Sequence, residues 1–141
     1  MGGHKQYQSS GGFDQYLYHQ VGEIISANGI SAKVVEKVDK SDPSQGLPLY
    51  SNTAELYLGK GRKSGEIVQL RLYKGRKAYM DIDWSHSHGG IPTGTVHVHF
   101  YETDNVGKPR KNASKYRRLN NSEIKKYGAL IKKVAPNVKL R

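Results

Sequence analysis

An α+β domain is the fold class the sequence predicts: N-terminal helix (or two), an antiparallel sheet of about four or five strands, and a basic C-terminal helix. Three observations carry it. Apolar residues recur at helical spacing from Phe13, three segments between residues 68 and 101 alternate strictly, and after residue 121 an apolar stripe runs opposite lysines. A chain of 141 residues without cysteine is expected to be one domain held by packing alone.

Residues 1–12, MGGHKQYQSSGG, have no hydrophobic period and read as a flexible N-terminal segment, leaving 13–141 as the single domain. Phe13, Leu17, Val21, Ile24 and Ile25 would line one side of the first helix, with Asn28-Gly29 as its C-terminal stop. Residues 30–38 fit a short second helix or a strand equally well, and 39–52, with two prolines, read as loop. A strand is expected over 54–58.

The three alternating segments then follow. Val68, Leu70 and Leu72 oppose Gln69, Arg71 and Tyr73; Met80, Ile82 and Trp84 oppose Tyr79, Asp81 and Asp83; Val96, Val98 and Phe100 oppose His97, His99 and Tyr101. A hairpin turning on Lys74-Gly75-Arg76 would set Leu70 against Met80, Val68 against Ile82, Gln69 against Asp81 and Arg71 against Tyr79. The sheet would bury an apolar face under helix, Trp84 included, and gather Arg, Asp, His and Tyr on the other. Residues 103–120 are polar and basic. Asn121 or Ser122 would cap a last helix with Ile124, Tyr127, Ile131 and Val134 inward and Lys125, Lys126, Lys132 and Lys133 outward.

Charge is segregated along the chain. Residues 1–107 hold 11 Lys/Arg and 11 Asp/Glu, whereas 108–141 hold 12 Lys/Arg and the single acid Glu123, so the whole net charge of +11 is C-terminal. Such asymmetry is a footprint for a polyanion, RNA above all, with Tyr101, Arg117, Arg118, Lys125, Lys126, Lys132 and Lys133 as the expected contacts. No apolar run approaches a membrane span and no secretory leader is visible, so neither membrane association nor export by a signal of its own is expected.

Four of the six histidines, His86, His88, His97 and His99, fall within 14 residues just after Asp81 and Asp83. Imidazoles titrating near neutrality could pass protons to and from an RNA phosphodiester, with Asp81 or Asp83 orienting a ring and Arg71 neutralising phosphate charge. The H-x-H strand could instead be a metal pair completed by His86, His88 or an Asp, or surface residues without chemistry. Acid–base catalysis without metal or other cofactor is the preferred expectation, with metal-dependent cleavage and a non-catalytic basic nucleic-acid-binding module as alternatives.

These residues carry a resemblance. The stretch RLYKGRKAYMDIDWSHSHGG…TVHVHFY, an R-x-Y strand and a D-x-D strand followed by a His-Gly turn and an H-x-H strand, resembles the C-terminal nuclease domains of bacterial polymorphic toxins and phage effectors. Those domains are similar to the superfamily that groups barnase, EndoU, colicin-type and RelE ribonucleases. It departs from the usual Pro-His sequence, because Thr-Gly-Thr-Val separates Pro92 from His97. The resemblance implies an endoribonuclease toxin acting in the cytoplasm of a target bacterium, delivered within a larger secreted or phage protein and held by an acidic immunity protein. Its site would comprise Arg71, Asp81, Asp83, His88, His97 and His99.

Overall fold

The computed structural model describes residues 18–39, 46–51, 56–61 and 64–141. Residues 1–17, including the proposed flexible segment and Phe13, lie outside the described residues, as do 40–45, 52–55 and 62–63. The strands are β1 (Tyr18–Gln20), β2 (Ile25–Ala27), β3 (Ile30–Lys37), β4 (Leu56–Lys60), β5 (Ile67–Lys74), β6 (Lys77–Asp83), β7 (His97–Thr103) and β8 (Pro109–Arg118), followed by α1 (Asn121–Val134). They form one eight-stranded sheet ordered β1-β3-β4-β5-β6-β7-β8, with β2 also paired to β3. All pairings are antiparallel except β3 with β4.

The expected α+β fold with an N-terminal helix and four or five strands is therefore corrected to a mostly β architecture, with one C-terminal helix among the described residues. Where the first helix was expected, β1 and β2 lie end to end along β3. Asn28-Gly29 is a two-residue hairpin turn joining Ala27 to Ile30, with φ of 53° and 76°, and not a helix stop. That pair matches the right-handed twist of the strands it connects, and β-branched Val21, Ile24, Ile25, Ile30, Val34 and Val35 favour the pleated state around it. Tyr18, expected on a helix, is buried on β1. Residues 103–120 contain another strand, β8, which forms the sheet edge next to β7. Its low-propensity residues are tolerated there because one side of an edge strand makes no ladder.

The sheet's two faces follow the alternation. Leu58, Leu70, Leu72, Ile82, Trp84, Val96 and Val98 pack with Tyr127, Leu130 and Ile131 of α1 in the main core. Trp84 donates its indole N–H to the Ile67 carbonyl at 3.2 Å. Helix α1 begins one residue earlier than expected: Asn120 accepts from the Glu123 amide at 2.8 Å, and the Glu123 carboxylate accepts from the Asn120 amide at 2.9 Å, a reciprocal cap. Among the described residues no helix is long and apolar enough to cross a membrane.

The β5–β6 register differs from expectation by two residues: Leu70 faces Ile82, Arg71 faces Asp81 and Gln69 faces Asp83. The turn uses two residues, Gly75 and Arg76, where three were expected. An irregularity between Leu72 and Tyr73 then takes up one further residue of β6. Next to it, Asp81 faces His99 and Asp83 faces His97 on β7.

Candidate functional site

The face opposite α1 carries a second apolar cluster, with Val35, Leu47, Tyr57 and Tyr73 in it, and beside that a buried polar set. Arg71, Asp81, Asp83, His97 and His99 are each at most 4% exposed. Two coverings account for this. Leu47 and Pro48 lie over Arg71, whose Nη1 donates to their carbonyls at 2.8 and 3.3 Å. The loop after β6 brings His86 and His88 over His97 and His99. That loop is shaped by reciprocal amide–carbonyl bonds of 2.9 Å between His88 and Ile91.

At one end of the face, Arg71 and Asp81 form a closed ionic network. Nε and Nη2 of Arg71 donate to Oδ1 and Oδ2 of Asp81 at 2.6 and 3.0 Å. Tyr101 Oη donates to Oδ2 at 2.8 Å, and Lys111 Nζ sits 3.0 Å from it. Burial alone would raise the Asp81 carboxyl, but the Arg71 guanidinium, with Lys111 and the Tyr101 hydroxyl, holds it down at about 2. The network occupies the groups expected to meet phosphate: the Arg71 guanidinium points into the protein, and the Tyr101 hydroxyl is committed to Asp81.

At the other end, four imidazoles meet. The His97 ring lies 4.9 Å from His99, 5.3 Å from His86 and 5.9 Å from His88; His88 is 4.5 Å from His99, and His86 is 6.0 and 6.1 Å from His88 and His99. Asp83 Oδ1 accepts from the Ser85 amide at 2.8 Å and stands 3.5 Å from His86 Nδ1. Burial lowers the His97 and His99 imidazoles, and Lys111 adds to the effect at His99, which is held at about 4. His97 Nδ1 reaches the Thr95 carbonyl at 3.3 Å and His88 Nε2 the Ala113 carbonyl at 3.3 Å, contacts that place a proton on each of those nitrogens. His97 Nε2 and both ring nitrogens of His99 are buried and have no hydrogen-bond partner among the described residues.

Two further contributors, both on β8, were not foreseen from the sequence. Tyr116, opposite His99 in the ladder, packs edge-on against His88 at 4.2 Å between centroids. The register then jumps, with His99 facing Tyr116 but Phe100 facing Asn112, so that Ala113, Ser114 and Lys115 bulge out and the Ala113 carbonyl reaches His88. Only recognition of β8 as a strand could have exposed this alternation.

The expected RNA contacts do not converge. Lys125, Lys126, Lys132 and Lys133 belong to α1, on the far side of the sheet from the histidines. Lys132 Nζ donates to the Pro136 and Val138 carbonyls, and Lys133 Nζ to that of Ser26. Arg117 is paired with Glu123 on the helix side at 2.7 and 2.9 Å, whereas Arg118 Nη2 reaches the Gly90 carbonyl at 3.5 Å, beside the histidine loop.

Fold and site together define a β-sheet protein in which two buried strand histidines lie under two histidines of one loop. No family model, curated protein or solved structure matches the chain.

Proposed function

We propose that this chain cleaves RNA phosphodiesters at the histidine cluster. The observation that supports the reading most is the convergence of His86, His88, His97 and His99 on the sheet face bordered by the basic strand β8. A polyanion drawn to Lys115 and Arg118 would lie along the loop whose His86 is exposed and whose His88 is half-buried. His97 and His99 sit behind them at 0% and 2% exposure, so they do not themselves meet substrate. This narrows the reacting groups from the four histidines the sequence offered to the two on the loop in front of the H-x-H strand.

Cleavage requires a base to take the ribose 2′-hydroxyl proton, an acid for the leaving 5′-oxygen and cations for the charge on phosphate. The imidazoles of His86 and His88 would exchange those protons directly, with Asp83 steadying His86. Arg118 is the cation placed to hold phosphate.

The test is incubation of purified protein with an end-labelled RNA and with DNA of the same sequence, each with and without EDTA. Cleavage of RNA alone, lost in the His86→Ala/His88→Ala variant, is expected. Intact RNA under every condition, or cleavage undiminished in that variant, would overturn the reading.

A further inference from the structure

The histidine cluster carries an inference that goes beyond the RNA reading and does not depend on it. From the geometry we infer that His86, His88 and His99 bind one divalent transition-metal ion, of the class that prefers imidazole nitrogen.

One ring nitrogen from each of these three residues lies within 4.8 Å of the others. Three nitrogens bound at 2.0–2.1 Å to one tetrahedral ion would stand about 3.3 Å apart. Closing the remaining gap takes rotation about the bonds of His86 and His88, which are on a loop. Asp83, His86 and His97 form a second such triplet, so His86 is shared and His97 is a neighbouring donor. The six ring-to-ring distances among the four histidines span 4.5 to 6.1 Å. Imidazoles radiating from a single tetrahedral centre would put their ring centres at about 5 Å.

The unpartnered nitrogens are the independent observation. A buried polar atom without a partner is unfavourable, and among the described residues three such atoms, His97 Nε2 and both nitrogens of His99, lie in one cluster. An ion turns a lone pair of this kind into a bond. The surrounding contacts are those that prepare imidazoles for ligation. His88 Nε2 engages the Ala113 carbonyl and His97 Nδ1 the Thr95 carbonyl, so each keeps its proton there and presents a lone pair on the other nitrogen. A cysteine-free, imidazole-rich set suits zinc, copper, nickel or iron over calcium or magnesium, which take oxygen ligands. Three protein ligands also leave a fourth position for water, the arrangement of catalytic zinc sites.

The experiment uses the whole chain, stripped with EDTA and dialysed into metal-free buffer, titrated calorimetrically with zinc and, separately, with cobalt(II) as an absorption probe. One equivalent of zinc should bind, and cobalt should show the intense ligand-field bands of a four-coordinate site. His86→Ala and His88→Ala, both outside the strands, should each weaken zinc binding at least about tenfold with an unchanged circular dichroism spectrum, a loss comparable to that caused by removing a supporting group around a metal ligand. His99→Ala should do the same; because it opens the buried face and could unfold the chain, exposed His86 is the deciding variant. No zinc bound at submillimolar concentration, or equal binding by the His86 and His88 variants, overturns the inference. If zinc binds and RNA stays intact, the RNA reading falls and the metal site stands; if RNA is cut in EDTA by a chain that binds no zinc, the reverse holds.

Discussion

Arg71 and Asp81 face each other across β5 and β6 and share two hydrogen bonds, of 2.6 and 3.0 Å, on a face with almost no solvent access. Removing Asp81 leaves the buried Arg71 charge uncompensated, and removing Arg71 leaves Asp81 with only the partly exposed Lys111 as counter-charge, each at a cost of about 3–5 kcal/mol. Arg71→Met and Asp81→Leu should therefore each destabilise strongly, and the double variant by clearly less than the sum of the two. Urea denaturation in a double-mutant cycle measures this, and additive losses would refute the coupling.

Acid should expose the same pair. The Asp81 carboxyl is held at about 2 in the folded chain, against about 3.9 when unfolded. Its contribution is thus fully present above about pH 4 and is lost as pH falls through 2, by about 2 kcal/mol. Chemical denaturation between pH 5 and 2, in EDTA, should show that loss in the wild type and a flatter slope in Asp81→Asn. Equal slopes would contradict the account.

How much of this could be read from the sequence depends on the range of the interaction that decides each element. Alternation is local, so β5, β6 and β7, their two faces and the gathering of Arg, Asp, His and Tyr on one of them were legible, as was the stripe of α1. The β5–β6 register was not, because a turn of two residues where three were expected and an irregularity of one residue between Leu72 and Tyr73 together shift every pair beyond them by two. The N-terminal region misled because Leu17, Val21, Ile24 and Ile25 fit a helical stripe and Asn28-Gly29 fits a helix stop as well as a hairpin turn, and sheet pairing with β3 decides for the hairpin. In β8 the strand state comes from β7 beside it and not from its own Lys, Arg, Asn and Ser. The burial of His97 and His99 was likewise illegible, since it depends on where the 85–94 loop comes to rest.

That loop supplies another prediction. Gly89 has a φ of 58°, and a Cβ there would stand 2.2 Å from Tyr116 Oη, whereas one on Gly90 would meet nothing within 4 Å. Gly89→Ala should therefore displace the loop from Tyr116 and weaken zinc binding, while Gly90→Ala should leave it near wild type. Calorimetry on both variants decides, and equal affinities would show that the Gly89–Tyr116 contact does not position His88.

The last prediction separates two adjacent arginines. Arg117 is tied to Glu123, which also closes the cap of α1, whereas Arg118 lies beside Gly90 on the histidine side. Their side chains leave the edge strand on opposite faces, so one change of the same chemistry should give two different outcomes. Arg118→Gln should weaken RNA binding and lower the salt slope by about 0.7, the value of one single-strand phosphate contact, with little change in stability. Arg117→Gln should leave the slope intact and destabilise the fold, because the Arg117 guanidinium holds the Glu123 carboxyl below its ordinary range and releasing it weakens the helix cap. Filter binding at several salt concentrations and thermal unfolding of both variants give the readouts. If both alter the slope alike, RNA contacts both faces of β8 and the histidine side has no privileged role in holding it.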